Sequence, residues 1–153
     1  MKSININISK SNVFEEVAKT TAYIGAKKVE GSGAAYDRIF TTNEDKEMLE
    51  RFWQETADVV TYAMRTFLNG VPSTSTSYDV SLVMSDRFDD SLSNSLNSSV
   101  YSYFVNSILS KWCDITDKEN VKEYADKAAA LLININDMLF FKKKPTRKTI
   151  KKQ

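Results

Sequence analysis

The carboxylates best spaced to bind a metal ion are Asp86, Asp89 and Asp90. Oxygen ligands of this kind suit Ca²⁺ and Mg²⁺, but the segment lacks the glycine-turn pattern of an EF-hand loop. The same residues precede a stretch with helical spacing, where the helix dipole favours acidic side chains. We therefore interpret the cluster as helix capping and predict no metal site.

Other residues with reactive side chains form no catalytic pattern. The sequence contains no histidine, which removes the most common general base and metal ligand. Without a histidine to activate it, Cys113 is predicted to be an inert, small apolar residue. Gly31-Ser32-Gly33 has neither P-loop nor GxGxxG spacing and predicts a flexible turn. A Ser–Lys dyad stays open, although no pattern points to one. We expect no enzyme activity and no catalytic, cofactor-binding or metal-binding residues.

The composition is that of one globular domain. The chain has 153 residues, of which 42% are hydrophobic and 27% are charged, close to the average of globular proteins. There is no apolar run of the length that a membrane span needs. The first residues, MKSININISKS, are too polar for a signal peptide. We therefore expect no membrane partner.

Charge is distributed unevenly along the chain. The segment 142–152, KKKPTRKTIKK, has seven positive residues and no negative one, whereas the rest has 14 positive and 20 negative residues, a net of −6. Blocks of like charge are typical of interaction tails, and Pro145 prevents a helix from continuing cleanly. We predict a single helical domain at 1–141 and a basic tail at 142–153. Candidate contact residues of the tail are Lys142, Lys143, Lys144, Arg147, Lys148, Lys151 and Lys152.

Local patterns predict two strands and four helices. Alternating apolar and polar residues predict strands near 3–8 and 78–84, and apolar residues at helical spacing predict the helices. The helices are expected near 12–24, 43–69, 90–113 and 117–141, with capping pairs Asn12/Glu15, Thr41/Glu44 and Thr116/Glu119 and a loop or a frayed helix end at 25–35. The second helix should end before Gly70 and Pro72 and run about 40 Å.

One predicted helix carries no charge over twenty positions, 91–110. An exposed helix normally has charged residues on its outer face. The helix is therefore buried in its own domain, or part of a subunit interface, or uncharged through simple compositional bias. The predicted core residues are Phe52, Val59, Leu96, Val100, Leu132 and Ile135.

Two strands far apart in sequence make a sheet of marginal stability if they stand alone. Either they pair and a helix covers them, or a neighbouring chain adds strands to them. The N-terminal strand can reach another chain, so Ile4, Ile6 and Ile8 are candidate interaction residues. The fold class is mainly α: a four-helix body with two short β-strands that neighbouring subunits could complete.

Three stretches resemble small proteins of phages and prophages of gut bacteria: NVFEEVAKTTAYIGAK, AYDRIFTTNEDKEMLERFWQETADVV and the Lys-rich KKKPTRK. The resemblance covers most of residues 12–65 and the tail. It implies a structural virion protein of a tailed bacteriophage, a head–tail connector (neck adaptor) that forms a ring at the portal–tail neck. Its implied partners are further copies of the chain, the portal and tail or neck proteins, with DNA as a further contact of the tail. Its implied location is the virion neck, after assembly in the host bacterial cytoplasm.

A different class of function stays open from the residues alone. The basic tail is typical of a small non-enzymatic accessory module that binds nucleic acid or an acidic protein partner. The acidic body argues against nucleic-acid binding over a broad folded face, because phosphate contacts need Lys and Arg there. Dependence of binding on the tail and on salt distinguishes these alternatives.

Overall fold

A computed structural model describes residues 1–27 and 34–147. The elements are β1 (Lys2–Ser9), α1 (Lys10–Lys27), α2 (Ala34–Ile39), α3 (Lys46–Ala63), β2 (Ser77–Met84), α4 (Ser93–Thr116) and α5 (Val121–Phe140), with 3-10 turns at Asn43–Asp45 and Asp90–Leu92. The predicted mainly α fold, with four long helices and two short strands, is confirmed. The predicted turn at Gly31-Ser32-Gly33 lies outside the described residues.

The two strands pair with each other. They are antiparallel over their whole lengths, from Lys2 opposite Met84 to Ser9 opposite Ser77. Of the two arrangements considered above, pairing within the chain is therefore the one observed. Side chains alternate between the two faces of a sheet, and the even-numbered residues of both strands face the core. Those buried there are Ile6, Ile8, Tyr78, Val80, Leu82 and Met84.

Helix α4 is the central element of the fold, because it packs against α5, α3, α1 and β1. Its apolar residues are buried, from Leu96 at one end to Cys113 at the other. Even a hydroxyl of its inner face has a partner: Ser107 Oγ lies 3.0 Å from Thr56 Oγ1 on α3. Residues 100–110 of the uncharged stretch are all buried or half-buried in this domain, whereas Ser91, Asn94, Ser95 and Ser98 are exposed. Burial in its own domain therefore accounts for the second half of the stretch, and a subunit interface stays a prediction for the first half.

Helix α3 is shorter than predicted. It ends at Ala63 instead of near residue 69, which gives a length of about 27 Å. The chain beyond it runs beside β2, where the amide of Val83 donates to the carbonyl of Phe67 at 2.8 Å. Backbone groups at a sheet edge need hydrogen-bond partners. Pairing with β2 therefore replaces the last turns of the predicted helix.

The capping box lies one residue later than predicted, and it caps the 3-10 turn that precedes α3. The amide of Thr42 donates to Asp45 Oδ2 at 2.8 Å, whereas the predicted pair was Thr41 and Glu44. Thr41 is buried, and its amide donates to the hydroxyl of Thr21 on α1 at 3.2 Å. Helix α3 itself begins at Lys46, and the side chain of its N-cap residue, Asp45, makes no capping hydrogen bond.

Two other predicted caps are wrong. Helix α1 begins at Lys10, directly after β1, so Asn12 lies inside it and donates its amide to Ser9 Oγ at 3.4 Å. Helix α4 extends to Thr116, whose hydroxyl donates to the carbonyl of Trp112 at 2.9 Å. Thr116 therefore ends α4 and does not begin α5. Of the stretch 25–35, predicted to be a loop or a frayed helix end, residues 25–27 form the end of α1, and α2 begins at Ala34.

Four of the six predicted core residues are buried: Phe52, Leu96, Val100 and Ile135. Leu132 is half-buried at the margin of the core. Val59 was predicted wrongly, since 43% of it is exposed. Neighbouring residues of a helix point about 100° apart, and α3 turns Val60 to the core.

Candidate interaction site

The N-terminus meets the loop that follows β2, because the antiparallel pairing brings the start of β1 to the end of β2. The ammonium group of Met1 forms an ion pair with Asp86. Lys2 Nζ lies 2.9 Å from Asp90 Oδ2 and donates to the carbonyl of Phe88 at 3.0 Å. We call the surface formed by Met1, Lys2, residues 85–90 and residues 142–147 the terminal junction.

The basic tail is attached to the same loop. The amide of Lys143 donates to the carbonyl of Arg87 at 2.8 Å. In return, Arg87 Nε and Nη2 donate to the carbonyl of Lys143 at 3.0 and 2.7 Å. Lys143 Nζ also lies 3.6 Å from Asp89 Oδ1. These contacts fix the base of the predicted basic tail on the body.

Arg87 is the residue of this site that the sequence did not single out. Arg87 lies among three aspartates, so the sequence by itself suggests an ion pair within the loop. In the fold its guanidinium instead holds a backbone carbonyl 56 positions further along the chain. No local pattern encodes that contact. The sequence carried one signal. Arg87, whose guanidinium has several N–H donors, lies among aspartates that were expected to cap a helix.

The three aspartates have separate roles. Asp89 caps the 3-10 turn, with Oδ1 accepting from the amide of Ser91 at 3.1 Å, and hydrogen bonds from Ser91 lower the pKa of its carboxyl. The pKa of Asp86 is lowered by its hydrogen bond and charge interaction with the Met1 ammonium. Capping is therefore confirmed for Asp89, whereas Asp86 and Asp90 form ion pairs. Residues 1–27 and 34–147 contain no group of three side chains suited to a metal ion.

These lowered pKa values set a direction for the effect of pH. When the pKa of a carboxyl is lower in the folded chain than in the unfolded chain, the ionised carboxylate stabilises the fold at any pH above the unfolded pKa. This stabilisation is lost as pH falls through the folded pKa. The ion pairs of Asp86 and Asp89 therefore hold at neutral pH and are lost in acid. Asp86 is exposed and Asp89 is only partly buried, so their contribution to stability is small.

An apolar pocket of about 190 Å³ lies beneath the base of the tail. Its walls include Phe88, Leu139 and the rings of Phe67 and Phe140, whose centroids are 5.1 Å apart. Phe140 and Phe141 remain more than half exposed. Exposed aromatic rings therefore lie beside the terminal junction, which carries the positive charge of Lys142–Lys144.

The predicted interaction residues fall into three groups. Ile6 and Ile8 are each 1% exposed, so their side chains belong to the core of this chain, while Ile4 is only partly buried. The tail residues within the description are exposed: Lys142, Lys143, Lys144 and Arg147. The other tail residues lie outside the described residues: Lys148, Lys151 and Lys152.

Replacing Arg87 with alanine tests the attachment of the tail. Loss of the two guanidinium bonds should weaken the contact by about 1 kcal/mol. We therefore expect amide hydrogen exchange at Lys143 to become roughly fivefold faster, while the free energy of unfolding changes by under about 1 kcal/mol. Lys144→Ala is the matched control and should leave that exchange rate unchanged. Equal exchange in the wild type and Arg87→Ala would contradict the attachment.

No protein-family model, curated protein or solved structure matches this chain. None of the helices in the described part of the chain is long and apolar enough to cross a membrane.

Proposed function

We propose that this protein is a structural virion protein of a tailed bacteriophage, a head–tail connector that assembles as a ring at the portal–tail neck. The resemblance of residues 12–65 and of the tail to phage proteins supports this setting. The chemistry of the site supports a more general function, that of a non-enzymatic protein that binds other chains through its basic tail.

The attachment of Lys143 to Arg87 is the observation that carries the proposal. A tail fixed at its base presents its charges from one defined point of the surface. Contacts within the chain already order the attached part of the tail, so less conformational entropy is lost when a partner binds. The described residues beyond the anchor, 144–147, are exposed, and they follow Phe140 and Phe141, whose rings are also exposed, in the sequence.

A neighbouring copy of the chain offers the complementary charge. Several exposed carboxylates form no ion pair within the described residues: Glu44, Glu47, Asp114, Asp126 and Asp137. A contact between the tail of one copy and the body of the next joins two different surfaces, and such contacts close into rings when the rotation allows. Each exposed pair contributes under about 1 kcal/mol, so several must act together.

Truncation after Lys143 tests the tail and keeps its anchor. We expect the full chain to form higher oligomers at low salt and to lose them as salt rises, because exposed charges are screened over about 8 Å at physiological ionic strength. The truncated chain should keep its fold, assemble less and respond little to salt. The control is a full-length Lys144→Gln/Arg147→Gln variant, which keeps the length of the tail and removes the charges at these two positions.

Sedimentation velocity over a salt series measures the result. Identical curves for the full and truncated chains would refute a role of the tail in assembly. Binding of duplex DNA with a logarithmic salt slope near −0.9 per phosphate contact, lost on truncation, would instead favour the accessory module that binds nucleic acid.

The virion setting has its own test. A tagged copy of the chain, expressed in cells that produce the phage encoding it, should be recovered in purified particles at a constant ratio to the portal protein. Particles that lack the chain would refute the connector proposal, whatever the tail binds in solution.

A further inference from the structure

Within the described part of the chain, the sheet has one open backbone edge, on β1. In an antiparallel strand, the backbone N–H and C=O groups of every second residue bond to the partner strand, and those of the residues between them point away from it. In β1 the odd-numbered residues point away from β2, because the amide of Asn7 donates to Asn97 Oδ1 of α4 at 3.0 Å. Within residues 1–27 and 34–147, the outward amides and carbonyls of Ser3 and Asn5 have no such partner.

The opposite edge of the sheet is covered. On β2, Val83 donates its amide to Phe67, and Asp79 exchanges two hydrogen bonds of 3.0 Å with Ser73. The chain therefore uses its own residues 67–73 to close the β2 edge. It provides nothing equivalent for β1 within the described residues, apart from Asn97 at Asn7.

We infer that the open edge of β1 binds β1 of a second copy, antiparallel, with Ser3 of each copy opposite Asn5 of the other. The bond from Asn7 to Asn97 sets this register, since it occupies the next outward amide. Ser3 and Asn5 then exchange backbone hydrogen bonds with their counterparts, four in all for the pair of strands. The two sheets join into one of four strands.

The chemistry of the edge suits a copy of itself. Residues 3–9 contain no charge and no proline, whereas open edges are usually protected by Lys, Pro or bulges. The register places Ile4 opposite Ile4 of the second copy, and Ile4 is the isoleucine of β1 that its own core leaves partly exposed. The charges next to the edge are balanced, because Met1 pairs with Asp86 and Lys2 with Asp90.

This contact goes beyond the proposed function and does not depend on it. Identical surfaces meet across a two-fold axis, so the pair closes at two copies and cannot extend into a ring. The contact also uses backbone groups and Ile4, so salt should not weaken it. High salt weakens the tail contact and leaves the β1 contact in place. An experiment in high salt therefore tests the dimer separately from the tail contact.

Asn5→Pro is the decisive variant. Proline removes the outward amide hydrogen of Asn5 and leaves the hydrogen bonds to β2 intact, since proline is tolerated on edge strands where the amide faces outward. Asn5→Ala is the matched control, because it keeps the amide and removes only the side chain. Unfolding transitions of both variants should match that of the wild type.

Sedimentation velocity in about 0.5 M salt, where the Debye length is only a few ångströms, measures the dimer apart from the tail. We expect a concentration-dependent dimer for the wild type and Asn5→Ala, and association at least tenfold weaker for Asn5→Pro. A wild-type chain that stays monomeric at every concentration, or equal association of the two variants, would overturn the inference.

Hydrogen exchange of the wild type provides a second readout that needs no substitution. The amides of Ser3 and Asn5 should exchange more slowly as protein concentration rises, whereas the amide of Asn7, already bonded to Asn97, should change little. If Asn5→Pro fails to fold, this measurement decides: exchange at Ser3 and Asn5 that does not depend on concentration would overturn the inference.

Discussion

Replacing Phe104 with alanine is expected to lower the free energy of unfolding by about 3–5 kcal/mol, the cost of a large cavity in a well-packed core. The ring of Phe104 is fully buried on α4. Its centroid lies 4.5 Å from that of Trp53 on α3 and 5.3 Å from that of Tyr78 on β2. One side chain therefore joins the central helix to a second helix and to the sheet.

Val59→Ala is the matched control for this loss. Val59 lies on the outer face of α3 with 43% of its surface exposed, so truncation should change stability by no more than about 0.5 kcal/mol. Denaturant unfolding of the three proteins measures the comparison. A loss under about 1 kcal/mol for Phe104→Ala, or equal losses for both variants, would show that the core lies elsewhere.

Replacing Ile6 and Ile8 together with alanine is expected to unfold the domain. Each substitution of a buried isoleucine costs about 2–5 kcal/mol, and the whole stability of a domain is about 5–15 kcal/mol. Both side chains are 1% exposed and face the core from β1. Loss of the cooperative thermal transition, measured by circular dichroism, is the expected result.

The other face of the same strand provides the control. Ser3 and Asn5 are exposed, and alanine at both positions should change stability by no more than about 1 kcal/mol. A cooperative transition that survives in Ile6→Ala/Ile8→Ala near the wild-type temperature would contradict the assigned face of β1.

The position of β1 also changes how assembly must be tested. Removal of residues 1–9 would delete a strand paired along its whole length with β2 and two residues of the core. The truncated chain would then lose its fold together with any contact. Substitutions at outward positions of β1, and truncation beyond Lys143, separate assembly from folding.

The sequence alone determined that there are four long helices and two strands, and how charge is divided along the chain. Alternation in Ile4, Ile6 and Ile8 predicted β1, and the apolar spacing of 91–110 predicted α4, because the period of a buried face is a local property. The basic composition and Pro145 likewise identified the tail, since both can be read within a few residues.

Only the tertiary structure decided what those elements meet. Helix α3 ends early because Phe67 bonds to Val83, and the tail is attached because Arg87 bonds to Lys143. Each contact joins residues far apart in the chain, and the competing local signal, a continued helix after Ala63, was consistent with the sequence. Long-range pairing wins at such places because several backbone hydrogen bonds together outweigh the local structure that is given up.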